Sequence, residues 1–183
     1  MMVGASMLDA AFAPLHAGTT TSIDIRIAVA AVAGLMATLG MTVAMRLQSR
    51  GYVPAYVAAS ALWQQPPERV SWSAANAVHI VAGMLAGVLF ETLVVGAERL
   101  RPALGIGVEV IVGGVISVIE LLALGFVALF LYGFFAWVVF PRYGGVAYES
   151  DAETVRRQWA VSVAVYAPLV FATLTAVHRT LPV

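Results

Sequence analysis

Cysteine is absent from the 183 residues, and so is lysine: all ten basic residues are arginine. The first absence excludes disulfides, thiol nucleophiles and thiolate metal sites. Charge of either sign is scarce. Ten Arg balance ten Asp and Glu, 11% of the chain in all, where a soluble domain carries about 25%. A chain of zero net charge offers no electrostatic footprint for nucleic acid, so none is expected as a partner. A phosphate loop, a zinc-binding helix motif, a nucleophile elbow and a credible triad are missing too. The stretch "GIGVEVIVGG" (105–114) has glycines without the dinucleotide spacing. The chain therefore reads as non-enzymatic, with no cofactor and no metal. Residues 1–22 contain no Lys or Arg. They lack the positive start of a secretory signal and are expected to form a mobile tail or a short interfacial segment.

What is present is apolar: 61% of residues are hydrophobic and the mean hydropathy is +0.91. A helix crossing about 30 Å of hydrocarbon needs roughly 20 such residues. Four runs qualify, at about 27–45, 72–95, 116–140 and 158–177. They predict an all-α membrane protein, an antiparallel bundle of four transmembrane helices in one domain over 23–183. Between the first two runs, Tyr52, Tyr56, Trp63 and Trp72 are rings suited to the headgroup level. Pro54 and the Pro66-Pro67 pair bracket a short interfacial helix expected at about 54–63. Arg46, Arg50, Arg69, Arg142, Arg156 and Arg157 fall on one side of the bilayer, against Arg26, Arg99, Arg101 and Arg179 on the other. That bias puts both termini outside, in a multi-pass protein of the cell membrane.

The third segment is longer than one crossing needs. Leu104 to Phe140 is 37 residues, about 55 Å as a helix, so the third helix is expected to be unusually long or bent. Glu109, Gly113, Ser117 and Glu120 share a face at 100° per residue. That spacing predicts an amphipathic helical extension over about 104–119, with a bend at Gly113-Gly114 and the crossing itself beyond Glu120.

In the antiparallel bundle Glu91, Glu109 and Glu120 share one side of the membrane. They form either a cluster that binds a cation or takes up protons, or rim carboxylates paired with Arg26, Arg99 or Arg101. His79 lies toward the other side with Asn76, Gly83, Met41 and Met45. A His/Met group suggests copper, but one His among gap-filling Met residues fits hydrogen bonding or packing better. His79 and His178 fall near opposite faces of parallel spans, which excludes a shared haem, and His16 lies in the tail. Gly34, Thr38 and Thr42 recur at four-residue spacing, as do Gly83 and Gly87; such faces let helices approach closely. Pro168 is expected to kink the last span and free the Ala164 carbonyl.

"GLMATLGMT" (34–42), followed in the second span by His79-x-x-x-Gly83, resembles a pattern of uncharacterised small prokaryotic four-span integral membrane proteins. The resemblance covers about half the chain. It implies a four-span architecture and assigns no activity and no catalytic residue. Two functions follow from the residues. The first is a structural or partner-binding membrane subunit, self-associating or joined to another membrane protein through the small-residue faces. The second is a small proton- or cation-handling channel or carrier using Glu91, Glu109 and Glu120, with His79 further along. The first requires the Gly34/Thr38 or Gly83/Gly87 face to be free. The second requires Glu91 and Glu120 to face the bundle interior.

Overall fold

The apolar runs become helices. The computed structural model describes residues 22–105, 110–111 and 116–180. In chain order the helices are α1 (Ile23–Arg46), α2 (Val53–Trp63), α3 (Trp72–Leu100), α4 (Val118–Tyr143), α5 (Gly145–Glu149) and α6 (Ala152–Thr180). The shortest of the long ones, α1, has 24 residues, about 36 Å of helix against about 30 Å of hydrocarbon. Helices α1, α3, α4 and α6 are each long and apolar enough to cross a membrane. The chain is an all-α integral membrane protein with four candidate spans.

Local chemistry sets several of the helix ends. Ser71 caps α3 by accepting the Ala74 N–H at 3.2 Å. Asp24 in the first turn of α1 and Arg46 in its last complement the helix dipole. Helix α2 stops at Gln64, which takes a left-handed conformation (φ 50°), just ahead of Pro66 and Pro67.

Side-chain pairs fix the directions. Thr42 meets His79 while Arg26 meets Glu91, so α1 and α3 are antiparallel. Gln48 meets Ser162 while Gly40 abuts Leu169, so α1 and α6 are antiparallel too. The core is built on a row of alanines from α1 (Ala30, Ala33, Ala37), closed by Phe90 and Val94 of α3, Val127 of α4 and Val163, Tyr166 and Val170 of α6. Outward, Val32, Met36, Leu39 and Val43 of α1 and Leu122, Phe126, Leu129 and Phe130 of α4 are exposed. In water such faces would associate; against acyl chains they are ordinary.

Helix α2 stands where the short interfacial helix is expected, but it is packed into one end of the bundle. Pro54, Ala55, Val57, Ala59 and Ser60 are buried, with Leu62 and Trp63 exposed. The third span is irregular rather than long. Its 26 residues are fewer than the 29 of α3, and a π-turn interrupts it at Phe135–Val139.

The helical extension expected over about 104–119 is not what the described residues form. A single 3₁₀ turn, Pro102–Leu104, ends at Gly105 in a left-handed conformation (φ 65°). Beyond it β1 (Val110–Ile111) pairs antiparallel with β2 (Ile116–Ser117), Val110 opposite Ser117 and Ile111 opposite Ile116. The segment is dense in β-branched Val and Ile, and at Val110–Ile111 and Ile116–Ser117 that strand propensity outweighs the helical spacing of its polar residues. Glu109 and Gly113 lie outside the described residues. Helix α6 runs unbroken from Ala152 to Thr180 through Pro168.

Candidate functional site

The seam between α1 and α3 organises the polar side chains. Its middle is closed by glycine. A Cβ on Gly34 would lie 2.5 Å from the Gly83 carbonyl oxygen, and one on Gly87 would lie 2.9 Å from the Gly34 Cα. Thr38 covers Gly83 and donates its hydroxyl to the Gly34 carbonyl at 2.6 Å. Gly34, Thr38, Gly83 and Gly87 thus face one another inside one chain. They cannot at the same time meet a second chain, which removes the reason for expecting assembly through these faces.

At one end of the seam lies a charge cluster. Arg26, in the first turns of α1, donates from Nε to Glu91 Oε1 at 2.6 Å and from Nη1 to Glu98 Oε2 at 2.8 Å. Glu91 and Glu98 are seven residues apart, two turns along one face of α3. Burial is graded along the triad: the side chains of Glu98, Arg26 and Glu91 are 27%, 10% and 1% exposed. Glu91 Oε2 and Arg26 Nη2 are buried and, among the described residues, have no hydrogen-bond partner.

Glu120 is buried at the start of α4 and lies within electrostatic reach of Glu91. Its Oε2 accepts the Ser117 N–H at 2.8 Å and the Ser117 hydroxyl at 2.9 Å, while Ser117 Oγ accepts the Glu120 N–H at 3.2 Å. This is a capping box. Ser117 and Glu120 therefore belong to a helix start, not to one stripe of a longer helix. The signal was present as Ser-x-x-Glu ahead of an apolar run. Of the pairings open to the carboxylates, Arg26 is the one made to Glu91. Glu98, which reads in the sequence only as the close of a span, completes the cluster.

The other end of the seam is polar but neutral in its contacts. Thr42 donates to the Thr38 carbonyl at 2.8 Å, and its Oγ1 is 3.0 Å from His79 Nε2. The one hydroxyl proton is committed to Thr38, so His79 Nε2–H is the donor to Thr42. The His79 ring lies edge-on to Tyr52 at 5.9 Å, and Tyr52 donates its hydroxyl to Asn76 Oδ1 at 2.6 Å. Beside His79 is a largely apolar cavity of about 40 Å³, bordered by Thr38, Met41, Gly83, Phe135 and Tyr166. Tyr166 donates to the Gly83 carbonyl at 2.6 Å. Trp159 Nε1 donates to the Leu131 carbonyl at 3.2 Å, one turn ahead of the π-turn.

His79 is not brought to the carboxylates: twelve residues of α3 separate it from Glu91, about 18 Å of helix. Taking the Gly83–Tyr166 bond as one level, His79 lies four residues before it and the His178 backbone twelve beyond, about 24 Å apart along the axis. Among the described residues no group of three or more His, Asp or Glu is placed to hold a metal ion. The chain matches no family model, no curated protein and no solved structure. The meaning of the site therefore rests on its own geometry.

Proposed function

We propose that the chain is a small proton- or cation-handling membrane protein whose binding group is the Glu91 carboxylate. The observation that carries this reading is the graded burial of Glu98, Arg26 and Glu91 at 27%, 10% and 1%. Ionisable groups inside spans cost about 2.5–3.5 kcal/mol each on insertion scales and mark ion or proton pathways. Two carboxylates share one guanidinium here, so the triad carries one excess negative charge when all three are ionised. Glu98, at the wet edge, is the entry. Arg26 stays protonated and acts by holding both carboxylates. A proton arriving on Glu91 removes its charge, weakens the 2.6 Å bond and leaves Arg26 to Glu98. The site thereby acquires two states.

The His79–Thr42–Tyr52 group is the polar station toward the opposite face. In this reading both termini are outside. Arg26, Arg99, Arg101 and Arg179 lie on that side against six Arg on the other, the direction of the positive-inside bias.

The test is proteoliposomes with an entrapped pH indicator and an imposed potassium diffusion potential. The expected result is proton movement above protein-free vesicles, falling to the protein-free rate in Glu91→Gln. A wild-type rate equal to that of empty vesicles, or an undiminished Glu91→Gln rate, rejects the proposal. A second reading, a non-enzymatic structural subunit, is favoured by the same short ion pairs acting as a clamp between α1 and α3. It is supported if vesicles stay silent while loss of Arg26 or Glu91 unfolds the bundle.

A further inference from the structure

A second concave site lies at the end of the bundle away from Glu91. It is an open cleft of about 320 Å³ between the end of α1, the turn after it and the starts of α2 and α3. Arg46, Arg50, Gln48 and Ser49 supply polar groups to it, and Tyr52, Tyr56 and Trp72 form its aromatic side. We infer that this cleft binds the phosphate headgroup of an anionic phospholipid.

The charges are available. Arg46 is exposed, is held 5.8 Å over the Trp72 ring and has no carboxylate partner among the described residues. The carboxylate near Arg50 is Asp151, 4.0 Å from Nε, with the two side chains 43% and 40% exposed. A pair so exposed is worth about 0–1 kcal/mol and yields readily to a phosphate. The loop is fixed from behind by α6: Gln158 accepts the Arg50 N–H at 2.7 Å and donates to Ser49 Oγ at 3.1 Å. The first residues of α2 and α3, Val53 and Trp72, also line the cleft. The positive ends of two helix dipoles therefore flank it, and the negative end of α1 is offset by Arg46.

Position selects the lipid over a free phosphate. The cleft sits where spans end, at the headgroup level that Tyr and Trp favour. A volume of about 320 Å³ is at the small end of ligand pockets, enough for a headgroup but not for a whole lipid. The acyl chains have a surface to follow, because Leu39 and Val43 of α1 and Leu47 just past its end form an exposed apolar row leading to the cleft. Basic pockets at span ends are a recurring form of headgroup site.

The experiment compares the full-length protein in phosphatidylcholine discs with discs that also contain phosphatidylglycerol. Thermal midpoint and native mass spectrometry after detergent extraction are the readouts. Expected are a higher midpoint with phosphatidylglycerol and one retained phosphatidylglycerol per chain. Both should be lost in the Arg46→Gln/Arg50→Gln variant and kept in Arg99→Gln/Arg101→Gln, whose charges lie at the other end. Glycerol phosphate in solution should not displace the lipid. The inference is overturned by a wild-type midpoint indifferent to phosphatidylglycerol, which needs no variant to fold. Equal retention in the cleft variant, equal loss in the control variant, or displacement by glycerol phosphate would each overturn it as well.

Discussion

The two ends of the α1–α3 seam are closed by different chemistry. At one end Arg26 bridges Glu91 and Glu98 at 2.6 and 2.8 Å. At the other, Thr42 and His79 share a neutral 3.0 Å contact beside a cavity. Between them glycines allow backbone contact. Ionised groups removed from water depend on each other far more than neutral ones do, because each is the other's replacement for solvent. The charged end should therefore act as the fixed end of the seam, changing only when its protonation changes. The neutral end can lose a contact and keep its packing.

The largest expected effect breaks the charged end. Glu91→Leu leaves Arg26 buried without its inner partner and should cost about 3–5 kcal/mol in detergent unfolding. Arg26→Met combined with Glu91→Leu removes the two most buried charges, leaves only the more exposed Glu98 without its arginine, and should recover most of that loss. If the double variant is no more stable than the single one, the charge pairing is not what matters. The middle of the seam comes next. Gly87→Ala pushes a methyl group against Ala30 and Gly34, an overpacking expected to cost about 1–3 kcal/mol. Gly96→Ala is the control: nothing lies within 4 Å of its Cβ position, and helix propensity should make it neutral or stabilising by up to about 1 kcal/mol. The smallest effect belongs to the neutral end. Thr42→Val removes one interhelical hydrogen bond, worth about 0.6 kcal/mol in membrane proteins. A loss at Thr42 as large as that at Glu91 would erase the contrast between the two ends.

Much of this architecture is legible in the sequence, because the membrane makes hydropathy and length nearly sufficient to locate spans. The four helices follow from that alone. The seam is partly legible as well: Gly34, Thr38, Gly83 and Gly87 mark a close contact by their spacing, but spacing cannot say whether the facing helix belongs to the same chain. The segment around Glu109 misleads because a 100° periodicity of four polar or small residues coexists with a β-branched run, and the ladder between Val110–Ile111 and Ile116–Ser117 follows the latter. Ser117 and Glu120 carried the right local signal, a capping box, at a place where a longer helix was the competing pattern. The triad is legible only in part: Arg26 stands among three arginines open to Glu91, and Glu98 is not among the carboxylates singled out. Pairing Arg26 with Glu91 and Glu98 needs a contact across 65 and 72 residues, which only the fold supplies.

The π-turn of α4 has a consequence for how the chain tolerates change. A π-turn holds one residue more than an α-turn would. Removing a single residue within Phe135–Val139 would restore a regular helix and leave the flanking turns in phase. The same deletion one turn into α4 would rotate every later side chain by about 100°, carrying the outward Phe126 and Phe130 toward the core. Length variation in this span should therefore concentrate at the π-turn, where Phe135 also borders the cavity. A lost residue there would redraw the cavity wall before it disturbed the rest of the bundle.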